Sequence, residues 1–123
     1  MGYGGLSMAE AKLVFVHGAC GSKEMWKNQL TYFLSKGVDA IAVDLPGHGE
    51  RKESLPPSSI TIESYARCLD GFLSSMGVSE AVVCGHSMGG GIALQYALMY
   101  PEKTRGLVLV CTGATMWVNP EFM

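Results

Sequence analysis

An apolar run, Ala81-Val82-Val83-Cys84, breaks through Gly85-His86-Ser87-Met88-Gly89 straight into a stretch with helical spacing, and this junction constrains the fold more than any other part of the chain. A short apolar run with no polar alternation is the mark of a strand covered on both faces, as in a parallel sheet. The glycines on either side of Ser87 allow a turn from strand to helix so sharp that other side chains would clash. Such a turn lifts the serine hydroxyl clear of the backbone, and the helix after it aims free N–H groups and a positive dipole end at the same point.

The same strand-then-helix alternation recurs along the chain. Leu13-Val14-Phe15-Val16 reads as a first strand, closed by His17-Gly18. Ser22 can cap a helix with Trp26, Leu30, Phe33 and Leu34 on one face, ended by Gly37. Val38 to Val43 reads as a second strand leading into the turn-rich Asp44-Leu45-Pro46-Gly47-His48-Gly49, and residues 50–60 read as a surface loop. Thr61 opens a helix that places Ile62, Tyr65, Ala66, Leu69, Phe72, Leu73 and Met76 on one face, with Gly77 just past its end. Ala81 to Cys84 is the third strand. Met88 to Tyr100 is the helix after the turn, stopped by Pro101, and Gly106 to Cys111 is the fourth strand. The predicted fold class is α/β, a parallel sheet of about four strands with helices on both faces.

With 48% hydrophobic and 16% charged residues over 123 positions, one ordinary core is expected, a single domain covering 1–123. The formal net charge of −2, with Lys and Arg scattered singly, gives no footprint for nucleic acid or an anionic membrane. No leader or bilayer-spanning run is visible, so a cytoplasmic location is expected. Cys20, Cys68, Cys84 and Cys111 are widely spaced, with no metal-ligand intervals, so neither a metal site nor a cofactor is expected. Cys84 and Cys111 read as small buried hydrophobes, as befits a reducing compartment.

Open parallel sheets bind ligands at the carboxyl ends of their strands. The candidate loops there are His17 to Ser22, Asp44 to Gly49, Gly85 to Gly91 and Thr112 to Thr115. A nucleotide-binding loop is disfavoured, because Gly91 stands where a P-loop needs lysine and no G-x-G-x-x-G occurs. Ser87 at the centre of G-x-S-x-G is the candidate catalytic nucleophile. His17, His48 and His86 are read as structural, since a working base must line up with both the nucleophile and an orienting group.

Three segments, Val16-His17-Gly18-Ala19, Asp44-Leu45-Pro46-Gly47-His48-Gly49 and Gly85-His86-Ser87-Met88-Gly89-Gly90, together resemble the N-terminal half of the α/β-hydrolase fold family, from about Lys12 onward. The resemblance implies an acyl-enzyme on Ser87 and an oxyanion hole made by the backbone N–H groups of Ala19 and Met88, with Cys20 the alternative donor. It implies hydrolysis of an ester or related acyl bond of a small molecule, as in small bacterial esterase-like members. Serine at position 87 argues against the members that use aspartate. The serine that the family often carries after the second loop is replaced by Glu50-Arg51-Lys52. In the family the acid and the histidine base follow a cap segment, which would begin near Trp117, so this chain is expected to lack both and to be inactive alone. The last strand would then be an open edge suited to self-association. The alternative is a non-catalytic half-domain acting by self-association or by pairing with a complementary chain.

Overall fold

A computed structural model describes residues 11–19 and 21–110. Four strands, β1 (Lys12–Val16), β2 (Ala40–Val43), β3 (Ala81–His86) and β4 (Thr104–Val110), form one sheet in the order β2-β1-β3-β4. All three pairings are parallel, with Val14 opposite both Ile41 and Val83. Three helices connect the strands: α1 (Lys27–Ser35), α2 (Ile62–Ser75) and α3 (Met88–Met99). The chain steps outward from β1 to β2, then crosses back so that β3 lies on the other side of β1. The strand order therefore reverses between β1 and β3, and open sheets present their ligand crevice at such a point.

Successive strand residues face opposite sides of the sheet. On one side Val14, Val16, Val43, Ala81 and Val83 pack under α2 and α3, which contribute Tyr65, Ala66, Leu69, Leu73, Ile92, Ala93 and Tyr96. On the other side Phe15, Ala42 and Cys84 pack under Trp26, Leu30 and Phe33. Phe15 stacks on Trp26 with ring centroids 4.8 Å apart. Helices thus cover both faces, as the uninterrupted apolar strands require.

Several boundaries differ from the sequence expectation. The first helical segment begins as a 3₁₀ turn over Lys23–Trp26, with the Ser22 hydroxyl accepting from Glu24 N–H, before α1 starts at Lys27. The turn changes the phase of the face, so Leu30 and Phe33 meet the sheet while Leu34 points to solvent. Met76 is the C-cap of α2 and is likewise exposed. Strand β2 begins at Ala40 rather than Val38, because Gly37 has φ +78 and the C-terminal turn of α1 binds Val38 N–H to Phe33 C=O. β4 starts two residues earlier than expected, with a register shift against β3 between Ala81 and Val82. Cys20, Cys111, the Thr112 to Thr115 loop and the expected cap from Trp117 lie outside the described residues.

Among the described strands, β2 and β4 are the edges. Val108, Leu109 and Val110 of β4 are exposed. Beside β2 an open groove of about 850 Å³ runs over Ala40 to Val43, between Lys23, Leu30 and Phe72, and no residue of the Ser87 turn lines it. Among the described residues no helix is long and apolar enough to cross a membrane, and no group of three or more His, Cys, Asp or Glu could hold a metal ion.

Candidate active site

Ser87 is the last residue before α3 and has φ 56° and ψ −119°, the sole positive φ at a described non-glycine position. A side chain held there costs about 1–3 kcal/mol, and it persists only where the surroundings over-determine the backbone. They do so here. Ser87 N–H donates to Val110 C=O of β4 at 3.1 Å, and Ser87 C=O accepts from Gly90 N–H at 2.9 Å and Gly91 N–H at 3.3 Å.

Two glycines make the turn sterically feasible. A Cβ on Gly85 would lie 2.6 Å from Gly90 N and closer still to the carbonyl of Gly89. A Cβ on Gly89 would lie 2.8 Å from the carbonyl carbon of Val16 and inside contact with the carbonyl oxygens of Val16 and His17. The first turn of α3 is therefore seated on the end of β1, at the reversal of strand order.

The loop leaving β1 runs against the same turn. A Cβ on Gly18 would stand 3.3 Å from Ser87 Cβ, 3.2 Å from His86 O and 3.8 Å from Met88 N. Met88 N–H belongs to the first turn of α3, whose N–H groups have no partner within the helix. Ala19, next along, is exposed. Ser87, Met88 and the Gly18–Ala19 segment, far apart in sequence, are thus brought together at one edge of the sheet.

His17 is fully buried beneath this loop. Leu45 N–H donates to its Nε2 at 3.0 Å, and its Nδ1 lies 2.7 Å from Gly18 O. An Nε2 that accepts carries no proton, so the neutral ring bears it on Nδ1 and donates to Gly18 O. Burial pushes the His17 pKa below its ordinary value, outweighing the bond to Gly18 and the charge of Asp44, with His48 adding to the lowering. With both nitrogens engaged, His17 is structural, as expected. His48 packs against it with ring centroids 5.0 Å apart, keeps its Nδ1 3.0 Å from Pro46 O, and meets Tyr65 on its other side. His86, the last residue of β3, is half-buried.

Asp44 is a residue whose role the sequence did not reveal beyond its place in a turn. Its carboxylate accepts from Lys23 N–H at 2.8 Å and from Glu50 N–H at 3.0 Å, with Lys23 Nζ 3.8 Å away. Burial alone would raise its pKa, but the two backbone N–H bonds and the Lys23 ammonium together hold it below the ordinary carboxylate value. A Cβ on Gly49 would fall on this carboxylate, 2.6 Å from Oδ2, so the glycine leaves room for it. Asp44 and His17 both tie the segment after β1 to the loop after β2, across 21 and 28 residues of sequence.

The family model for the alpha/beta hydrolase fold matches residues 12–123. The chain belongs to the α/β-hydrolase fold family. Within that family it is 28% identical over 116 residues to human protein ABHD8, covering 94% of this chain and 26% of that protein. Among solved α/β-hydrolase structures, the N-acyl homoserine lactonase AidH complexed with N-butanoyl homoserine superposes with TM-score 0.77 at 32% identity, over 90% of this chain and 43% of that one. A thermophilic esterase superposes with TM-score 0.71 at 34% identity, over 89% and 40% of the two chains. The chain spans about a quarter to two-fifths of the length of these hydrolase-fold relatives.

Proposed function

We propose that this chain carries the nucleophile and oxyanion-binding half of a serine hydrolase that cleaves an ester or related acyl bond of a small molecule. The observation that carries the reading is the backbone of Ser87, held at φ 56° beside Gly18 and at the N-terminus of α3. In the proposed reaction Ser87 Oγ attacks the acyl carbonyl, and the carbonyl oxygen takes up the negative charge of the tetrahedral intermediate. The N–H groups of Ala19 and Met88 receive that charge, a contribution of about a hundred- to a thousandfold per donor in comparable sites. Collapse expels the alkoxide with a proton and leaves an acyl-serine, which water then hydrolyses. The esterase and lactonase among the structural neighbours favour esters or lactones as the substrate class.

The proton from Ser87 must pass to a base. His17 is unsuited, since both its ring nitrogens are already bonded within the loop scaffold. We assign the base and its orienting acid to residues outside the described set, and infer that the 123-residue chain alone turns over slowly. A protease triad stripped of its base still exceeds water by about a thousand- to ten-thousandfold through its oxyanion hole and binding alone, a residual activity that does not need the serine. The free thiols of Cys68 and Cys84 suit a reducing, cytoplasmic setting.

The test is hydrolysis of short-chain p-nitrophenyl esters by the purified chain beside Ser87→Ala, with folding verified by circular dichroism. With the base outside the described residues, equally slow rates in the two folded proteins are expected; turnover lost only in Ser87→Ala would show a base supplied locally or across an oligomer and overturn that assignment. A second reading, a non-catalytic half-domain acting by association, is favoured by the exposed Val108 to Val110 row of β4. It predicts a concentration-dependent dimer by light scattering that Leu109→Lys abolishes.

A further inference from the structure

The imidazole of His17 holds one peptide unit in one orientation. Gly18 C=O accepts from His17 Nδ1–H at 2.7 Å and from Gly21 N–H at 3.1 Å. That carbonyl belongs to the Gly18–Ala19 peptide, which is trans like every described peptide bond. In a planar trans peptide the C=O and the following N–H point in opposite directions. Fixing the carbonyl inward, onto the buried ring, therefore fixes the Ala19 N–H outward. The ring is itself anchored, because its Nε2 accepts from Leu45 N–H and the Leu45 side chain is buried in the larger core cluster.

We infer that His17 is a positioning residue: locked as the Nδ1–H tautomer between Leu45 N–H and Gly18 C=O, it prevents the Gly18–Ala19 peptide from flipping and so keeps the Ala19 N–H aimed away from the core. This rests on the reading of Ala19 N–H as an oxyanion donor. The physical need is plain. Gly18 lacks a side chain, so the peptide after it has little intrinsic barrier to reorientation. A donor contributes to catalysis only when it is preorganised where charge develops. Were the peptide to flip, a carbonyl oxygen would replace the donor and repel the oxyanion. Burial of His17 favours the neutral ring that the lock requires.

Two substitutions divide the lock. In His17→Asn the side-chain amide nitrogen takes the place of Nδ1, keeping the donor to Gly18 and losing the acceptor for Leu45. In His17→Gln the amide oxygen takes the place of Nε2, keeping the acceptor and losing the donor. The readouts are nuclear magnetic resonance measurements on the ¹⁵N-labelled 123-residue chain, none of which needs turnover. Long-range ¹H–¹⁵N spectra of the wild type are expected to show His17 neutral at pH 7 with the proton on Nδ1. The residual dipolar coupling of the Ala19 N–H is expected to survive in His17→Asn and to average toward zero in His17→Gln. Exchange of the Leu45 amide is expected to move oppositely, about tenfold faster in His17→Asn and little changed in His17→Gln. General destabilisation would move both signals together, and that result overturns the inference. So does an Nε2–H tautomer in the wild type, which decides the matter even where a variant does not fold. If the lock holds but the folded chain takes no acetyl group from p-nitrophenyl acetate at Ser87, the proposed function fails and the loop geometry stands.

Discussion

Replacing Gly89 with alanine tests how the Ser87 turn is built. The added methyl would fall inside contact with the carbonyl oxygens of Val16 and His17 and 2.8 Å from the carbonyl carbon of Val16. These are backbone atoms at the end of β1, which is paired on both sides by β2 and β3, so they cannot yield as a flexible side chain would. Relief requires α3 to lift from β1, which separates Ser87 from Gly18. Overpacking against side chains costs about 1–3 kcal/mol, and a clash with fixed backbone belongs at or above the top of that range. Alanine returns about 1 kcal/mol of helix propensity, leaving a net loss of about 2–3 kcal/mol. Gly71 supplies the control within the same chain. It lies inside α2, exposed, with nothing within 4 Å of a built Cβ, so Gly71→Ala is expected to stabilise by about 0.5–1 kcal/mol. Urea unfolding followed by circular dichroism measures both. A Gly89→Ala variant within about 0.5 kcal/mol of wild type would refute the claim that the helix start is seated on β1.

Asp44→Asn removes the charge and leaves a single acceptor oxygen for the two N–H groups of Lys23 and Glu50, so a loss of about 1–3 kcal/mol is expected by urea unfolding. Faster amide exchange at Lys23 or Glu50 should accompany it, and unchanged exchange at both would sink the assignment. The pH dependence follows from two lowered pKa values. His17 in the fold titrates below its ordinary 6.5, so from that pH downward the unfolded chain binds a proton the folded chain does not, and stability falls with acid until the folded ring also protonates. His48 and Asp44 are the titratable groups that act on it, the first lowering and the second raising its pKa. Asp44, also lowered, adds a further loss in the range below 3.8. The urea midpoint is expected to drop between pH 6.5 and 5 in wild type and to stay flatter in His17→Asn; identical profiles would remove His17 as the cause.

The strands were legible because both faces of the sheet are covered, which leaves Val14 to Val16 and Ala81 to Cys84 without polar alternation. The turn at Ser87 was legible because its glycines are demanded by backbone clashes that any side chain would suffer, a local requirement that the sequence states directly. The phase of α1 was not. Counting from Trp26 assumes an unbroken α-helix, but Trp26 ends a 3₁₀ turn, and the altered rotation per residue sends Leu34 outward. The ties from Asp44 to Lys23 and from His17 to Leu45 were also hidden. Each joins loops that become neighbours only once β1 and β2 pair, and a proton's place on one ring nitrogen is set by a partner 28 residues away. Local requirements can be read along the chain, whereas contacts between loops depend on the finished sheet.

In the proposed function the turn geometry makes Ser87 an acyl acceptor. Peptide mass mapping of the folded chain, quenched at intervals after addition of p-nitrophenyl acetate, tests it most directly. Acetyl is expected on the Ser87 peptide, forming at least about a hundredfold faster than in the urea-unfolded chain, the scale of one preorganised donor. Acetylation of Ser87 at the same rate in the folded and unfolded chain, or only at surface lysines, would contradict it.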